Sequence, residues 1–170
     1  MVKWCTIPSN MLEAIDMFAK YLLLEDKRDD SHPGKPWLKW KKISRMKDVW
    51  DAFEKMDGDR HSILIVAEAP GLPESDVIYS GKALAVAGGK DNQYVCEAYI
   101  KKDPYSSTTV RNPDVPVSYD DWVPLKRGEL ETFPRHRIVG REAVREALKA
   151  FVKRGELSDK LIWEDEPEED

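Results

Sequence analysis

The sequence predicts an α+β fold in which an antiparallel β-sheet of about five to six strands packs with N-terminal helices and a C-terminal helix. Three observations predict it. Apolar residues recur at helical spacing near both ends of the chain, and short β-branched segments between glycine and proline turns fill the middle. The 41% hydrophobic and 35% charged residues are typical of a folded chain, and 170 residues suit one domain.

The first predicted helix spans about residues 11–24. Asn10 and Glu13, three positions apart, have the spacing of a capping box. Apolar residues then recur every three or four positions as far as Leu24, which is typical of a helix with one buried face. We therefore expect residues 1–58 to form an N-terminal helical region that packs on the sheet.

Three further elements are expected in the N-terminal region. Residues 25–36 are charged and contain two prolines and a glycine, which predicts a loop. Residues 37–41 alternate between apolar and polar positions and suit a short strand. Ser44 has the position of a helix cap, and the helix after it should end at about Gly58. The apolar face of that helix comprises Met46, Val49, Trp50 and Phe53.

The central part of the chain, residues 59–165, is predicted to be the α+β core. Its apolar segments are short and are separated by glycine-containing turns, a pattern typical of an antiparallel meander. Residues 103–124 contain four prolines and little periodicity, so we expect a long surface loop or a loop that contacts a ligand. The expected strands are 61–69, 77–79, 84–86 and 94–100.

The C-terminal helix has the clearest signals. It is expected to begin near Gly140 and to stop at Gly155. Residues 161–163 suit a short closing strand, and residues 166–170 form an acidic tail that we expect to fray. The apolar face of the helix comprises Val139, Val144, Ala147, Leu148 and Phe151.

Charge is unevenly distributed along the chain. Residues 35–47 contain six basic residues and no acidic one, whereas residues 164–170 are acidic apart from one proline. The net charge of −5 gives no general affinity for nucleic acid or anionic lipid. Cys5 and Cys96 are far apart, which suits reduced thiols, and no window reaches the roughly 20 apolar residues that span a bilayer. We therefore expect a cytoplasmic protein without membrane contact.

The sequence lacks the common catalytic and metal-binding motifs. It has no GxSxG, Walker A, HExxH or CxxC pattern. His32, His61 and His136 are isolated from one another, whereas zinc ligands usually come in close pairs. We therefore expect a protein that is not an enzyme and that has no metal or other cofactor.

The basic segment 35–47 indicates an alternative function. Trp37 and Trp40 lie among lysines, a composition that can bind single-stranded nucleic acid through stacking and phosphate pairing. Tryptophans at strand or helix spacing, including Trp50, also suit the core. The alternative is a nucleic-acid-binding accessory protein whose basic contacts would be Lys39, Lys41, Lys42 and Arg45.

A second charged feature lies between residues 119 and 131. An aromatic residue flanked by carboxylates is a credible anchor for a basic partner. Two carboxylates could also serve a glycosidase-type hydrolase, but only if they are buried together in a cleft. The predicted partner-binding residues are Tyr119, Asp120, Asp121, Trp122, Glu129 and Glu131.

The C-terminal part of the chain resembles the Imm1 family of bacterial immunity proteins. That family has a short strand, here residues 133–139, followed by a helix, a Gly-Glu turn and an apolar-apolar-Trp strand that ends in an acidic residue. The resemblance covers roughly the last forty residues, and residues 1–58 do not match. The matching positions are Glu142-Ala143, Ala147-Leu148, Phe151, Gly155-Glu156 and Leu161-Ile162-Trp163-Glu164.

The resemblance implies a small α+β protein that binds a cognate toxin one to one and blocks it, without catalytic residues or a cofactor. Toxins paired with this family often include nucleic-acid deaminases, and nucleases also occur. Because such toxins usually need a basic substrate groove, acidic residues around Trp122 could stand in for phosphates there. The chain itself is not expected to contact nucleic acid.

Overall fold

The computed structural model describes residues 17–27, 39–71, 77–103 and 105–166. Several predicted features lie outside these residues. They are the first part of the helix expected at 11–24, most of the loop expected at 25–36, Cys5, Trp37 and the end of the acidic tail.

The described residues form a seven-stranded antiparallel sheet and a separate two-stranded hairpin. The strands of the large sheet are β1 (Tyr21–Leu24), β2 (Trp40–Lys42), β3 (Ile63–Pro70), β4 (Tyr79–Gly88), β5 (Tyr94–Tyr99), β6 (Thr108–Arg111) and β9 (Ile162–Asp165). Their order across the sheet is β2-β1-β3-β4-β5-β6-β9. The hairpin consists of β7 (Trp122–Arg127) and β8 (Glu129–Pro134).

Both faces of the large sheet are covered, which explains why its central strands are apolar at successive positions. In β3, Leu64 and Val66 belong to the core on one face, and Ile65 and Ala67 belong to a cluster on the other. Alternate residues of a strand point to opposite faces, so a strand buried on both sides has no polar face. We call the two sides the helix face and the hairpin face.

Two helices, α1 (Met46–Glu54) and α2 (Arg141–Arg154), pack on the helix face. Phe53 of α1 and Leu148 of α2 are fully buried there. The N-cap of α1 is Arg45 and not the expected Ser44, because Asp48 accepts hydrogen bonds from the backbone N–H groups of both residues. The carboxylate of Asp48 therefore satisfies donors that the helix start leaves open.

The hairpin covers part of the opposite face. Val123, Leu125 and Phe133 of the hairpin form a small core with Ala87 and Val95 of the sheet. Gly128 joins the two strands with a φ of +73°, a conformation that favours glycine. The hairpin therefore has one buried inner face and one outer face toward solvent.

The prediction of a helix at 11–24 is wrong for its described part. Residues 21–24 form β1, which pairs with both β2 and β3. Leu22 packs toward the helix face and Leu23 toward the hairpin face. Four successive residues that are apolar fit a strand buried on both sides as well as one turn of a helix, so periodicity alone could not separate the two.

Two predictions in the middle of the chain also need correction. Tyr79 and the strand expected at 84–86 belong to one strand, β4, because Gly81 and Lys82 form an irregularity opposite Glu68 and the chain does not turn there. The loop expected at 103–124 contains β6 and the first residues of β7. The prolines of this segment favoured a loop over either strand in the sequence prediction, because proline is common in loops and rare in sheets.

The antiparallel α+β class, the C-terminal helix and the closing strand are confirmed. Glu166, the first residue of the predicted frayed tail, instead pairs with buried Arg137 at 2.6 Å. Neither helix of the described chain is long and apolar enough to cross a membrane. The division of the chain at residue 58 stays a prediction.

Gly155→Ala should destabilise the fold. Gly155 ends α2 with a φ of +66°, and a Cβ atom there would lie 2.6 Å from ring atoms of Phe18. We expect a loss of about 2 kcal/mol in the free energy of unfolding, measured by urea denaturation. Gly140→Ala is the control, because the nearest obstacle there is the flexible Asn92 side chain at 3.2 Å. Equal losses in the two variants would contradict this account.

Candidate protein-binding surface

The loop of residues 112–121 leads into the hairpin and presents two aromatic side chains. Trp122 Nε1 donates a hydrogen bond to the carbonyl oxygen of Tyr119 over 2.6 Å, and the two ring centroids lie 6.5 Å apart. Even so, 48% of Trp122 and 45% of Tyr119 are exposed. The pair is thus held in a defined geometry without being covered.

One carboxylate oxygen fixes this loop to the end of the sheet. Oε1 of Glu164, in β9, accepts hydrogen bonds from the Tyr119 hydroxyl at 3.0 Å and from His136 Nε2 at 3.1 Å. Arg137 donates to the same oxygen through Nε at 3.1 Å and Nη2 at 2.9 Å. The loop, the 3₁₀ turn of Arg135–Arg137 and strand β9 therefore meet at a single acceptor.

His136 is fully buried and links the same loop through its other ring nitrogen. Its Nδ1 lies 3.3 Å from the backbone nitrogen of Ser118 and 3.1 Å from the carbonyl oxygen of that residue. A ring that donates from Nε2 to Glu164 leaves Nδ1 able to accept the Ser118 N–H. The imidazole therefore ties the loop to Glu164 through both of its nitrogens.

The charges at this junction stabilise one another. Desolvation is the largest single influence on Glu164 and raises its pKa, but hydrogen bonds from His136, Arg137 and Tyr119 outweigh it, so the pKa lies below its ordinary value. Burial lowers the pKa of Arg137, yet Glu164 and Glu166 raise it above the ordinary value. Desolvation and the Glu164 carboxylate raise the pKa of the Tyr119 hydroxyl, which therefore remains a donor.

The four carboxylates expected to bind a partner differ in how far they are neutralised. Asp121 pairs with Arg135 at 2.6 Å, and Glu131 pairs with Arg127 at 2.7 Å. The side chains of Asp120 and Glu129 are exposed and form no ion pair with any described residue. The sequence does not distinguish the two groups, because the pairs of Asp121 with Arg135 and of Glu131 with Arg127 form only in the folded hairpin.

The structure also divides the predicted site in space. Trp122 pairs with Pro134 at one end of the hairpin, and Glu129 pairs with Arg127 at the turn. Five residue steps in a strand span about 17 Å, so Glu129 lies that far from Trp122 along the hairpin. A glycosidase-type hydrolase would need two carboxylates buried together in a cleft. Asp120, Asp121 and Glu129 are instead exposed, so these residues do not meet that requirement.

Exposed apolar residues concentrate in the same unit. Of the large apolar side chains that are exposed in the described chain, four lie between residues 117 and 130. They are Val117, Tyr119, Trp122 and Leu130. Val117 and Leu130 were not among the predicted partner-binding residues. Leu130 could have been found as an apolar residue between two glutamates directly after a glycine turn.

The hairpin is fixed to the sheet by buried polar groups. Arg127 donates to Glu97 at 2.8 Å, and Glu97 also accepts from the Tyr99 hydroxyl at 2.9 Å. Further along, the N–H of Gly128 donates to Ser62 Oγ at 2.9 Å, and Ser62 Oγ donates to buried Glu25 at 2.8 Å. These anchors at the turn, together with the apolar inner face, attach the hairpin to the sheet and support its outer face.

The basic segment 35–47 is only partly described. Trp40 is half-buried and packs on the apolar cluster of the hairpin face, and Trp50 packs on the helix-face core with Arg145 over its ring at 4.5 Å. These two indoles are therefore engaged by the protein itself. Lys41 and Lys42, in the edge strand β2, are exposed.

A protein-family model matches most of this architecture. The family model described as immunity protein Imm1 matches residues 42–165, which is more than half of the chain. The chain belongs to the Imm1 family of immunity proteins. No curated protein and no solved structure matches it. The resemblance seen in the C-terminal residues is thus confirmed, and the family match extends from the last residue of β2 to the end of β9.

The family assignment includes every element that builds the candidate surface of this Imm1 protein. The 112–121 loop, the hairpin and β9 all lie inside the matched range, whereas β1 precedes it. Among the described residues, no group of three or more His, Cys, Asp and Glu side chains is arranged to hold a metal ion.

Glu164→Gln should destabilise the protein in a pH-dependent way. Because the pKa of Glu164 is lower in the folded state, its contribution to stability is present above the ordinary value of 4.5 and is lost as pH falls through the folded pKa. We expect a loss of about 2 kcal/mol at about pH 7, measured by urea denaturation, and a smaller loss at about pH 3.5.

Glu156→Gln provides the matched control for Glu164→Gln. Glu156 forms a solvent-exposed pair with Arg154, and such pairs contribute little to stability. An equal loss for Glu164→Gln at both pH values would show that the carboxylate charge does not hold the junction together.

Proposed function

We propose that this Imm1 protein binds a cognate bacterial toxin one to one through the 112–121 loop and the adjoining hairpin, and that it blocks the toxin by covering its active site. Binding takes place in the cytoplasm of the cell that is protected. The protein acts by occlusion and not as an enzyme. The observation that carries the proposal is the concentration of exposed apolar residues, Trp122 above all, on a rigid support.

The geometry of the aromatic pair supports this surface as the centre of the interface. Protein interfaces depend on a few aromatic or arginine anchors, and an anchor that is ordered before binding loses less entropy on association. Trp122 is held by its hydrogen bond to Tyr119, and Tyr119 is held by Glu164. A stable complex of this kind typically buries about 1,600 Å² in total. We expect these two side chains to lie at the centre of that buried area.

The charges favour a toxin with a basic substrate groove, such as a deaminase or nuclease that acts on nucleic acid. Asp120 lies beside Trp122 and is not neutralised by any described residue, whereas Asp121 is paired with Arg135. A carboxylate next to an aromatic anchor can take the place of a phosphate in such a groove. The proposal therefore assigns the charge contact to Asp120 and an internal structural role to Asp121.

Trp122→Ala should weaken the complex with the toxin domain encoded beside this gene. The variant removes an exposed anchor, so we expect the dissociation rate, measured by biolayer interferometry, to rise at least about tenfold. Tyr105→Ala is the control, because Tyr105 is 75% exposed and lies between β5 and β6, outside the 112–121 loop and the hairpin. If the wild-type protein does not bind that domain, the proposed function is wrong; if Trp122→Ala binds as wild type does, the surface is wrong.

Asp120→Lys should slow association with the same toxin domain. Charge reversal at the rim of an interface acts mainly on the association rate and does so most strongly at low salt. Asp159→Lys is the control, because it changes the net charge by the same amount as Asp120→Lys at an exposed position after α2. Equal association rates for the two variants would remove Asp120 from the charge contact.

A further inference from the structure

The turn end of the hairpin has an exposed apolar residue that the aromatic pair does not explain. Leu130 is 68% exposed, which makes it the most exposed of the large aliphatic side chains in the described chain. Leu130 pairs with Lys126 across the hairpin, and Trp122 lies four residue steps away in the same strand as Lys126. An even number of steps places Leu130 and Trp122 on the same outer face, about 13 Å apart along it.

A groove of about 650 Å³ lies beside Leu130. We call it the turn-end groove. Pro124, Leu125 and Leu130 of the hairpin form its apolar side. The loop of residues 57–59 and the turn between β4 and β5 form its polar side. The groove therefore has an apolar wall and a polar wall. An apolar side chain of a partner can pack on the first while a charged neighbour contacts the second.

The walls of the turn-end groove are held in place before any partner binds. The Gly128 N–H donates a hydrogen bond to Ser62, the residue before β3, and its carbonyl oxygen accepts a hydrogen bond from Lys27. Lys126 pairs with Asp59 across the groove. An apolar side chain on a turn that is fixed this firmly loses little freedom when a partner covers it.

The charge of the groove indicates what kind of segment it accepts. Its ionisable lining residues are Asp57, Asp59, Asp91, Lys90 and Lys126, three acidic and two basic. Backbone N–H groups occupy the Asp57 carboxylate, which lowers its pKa despite desolvation, the largest single influence. Lys126 pairs with Asp59, so the lining as a whole keeps a small negative charge. The groove therefore favours a basic segment.

We propose that the turn-end groove is a second docking site for the cognate toxin, which places on Leu130 an apolar side chain flanked by lysine or arginine. This inference rests on the proposed function, because it extends the same interface along the outer face of the hairpin. The toxin then contacts the hairpin at both ends, at Trp122 and at Leu130. Two contacts about 13 Å apart fix its orientation, which one aromatic anchor alone does not do.

The test uses the full-length protein and the catalytically inactivated toxin domain encoded beside its gene. Leu130→Ala should raise the dissociation rate about tenfold, and Tyr105→Ala should leave it unchanged. Asp91→Asn should slow association at low salt and lose that effect at high salt. Asn is suited to position 91 because the backbone there has a φ of +54°, which Asn tolerates.

The possible results separate this inference from the function on which it rests. If Trp122→Ala weakens the complex and Leu130→Ala does not, the second docking site is wrong and the proposed function stands. If the wild-type protein does not bind the toxin domain, both are wrong. Hydrogen exchange provides an independent readout: protection of residues 124–130 in the complex supports the second site, and protection confined to residues 117–122 overturns it. Equal unfolding midpoints for Leu130→Ala and wild type show that a binding defect is local.

Discussion

The candidate surface depends on one carboxylate oxygen, Oε1 of Glu164. It accepts hydrogen bonds from Tyr119, His136 and Arg137, which come from different parts of the chain. Four donors on one acceptor leave the loop little freedom, because a shift of Tyr119 would uncover charge that is partly buried. The order of the Tyr119–Trp122 pair is therefore a consequence of the closing strand, although that strand lies more than 40 positions later in the sequence.

The same principle of polar anchoring explains how the hairpin can cover the sheet. Only Val123, Leu125 and Phe133 bring apolar area to its inner face, which is little for a two-stranded unit. Arg127 and Gly128 add polar attachments, to Glu97 and through Ser62 to Glu25. Because these anchors occupy the inner face, the outer face is free to present Trp122 and Leu130.

The fold could be predicted from the sequence where a local signal has a single meaning. Gly155 ends α2 in a left-handed conformation, and the apolar spacing before it marked the helix correctly. Residues 21–24 were misread because four apolar residues suit a helix turn and a doubly buried strand equally well. The sequence could not show which carboxylates of the expected site are neutralised: the hairpin register places Arg127 opposite Glu129, yet its guanidinium pairs with Glu131 and Glu97.

The proposed binding surface differs from a merely solvated one in that exposed apolar side chains lie on a backbone held by hydrogen bonds. Polar residues cover most of a soluble protein, and isolated exposed leucines need no explanation. Leu130 differs because its turn is tied down at Gly128, beside a groove, and on the same face as Trp122. Rigidity at such a position contributes nothing to solubility and little to the core, whereas it lowers the entropic cost of association. An immunity protein must bind before its toxin acts, and a surface formed in advance meets that requirement.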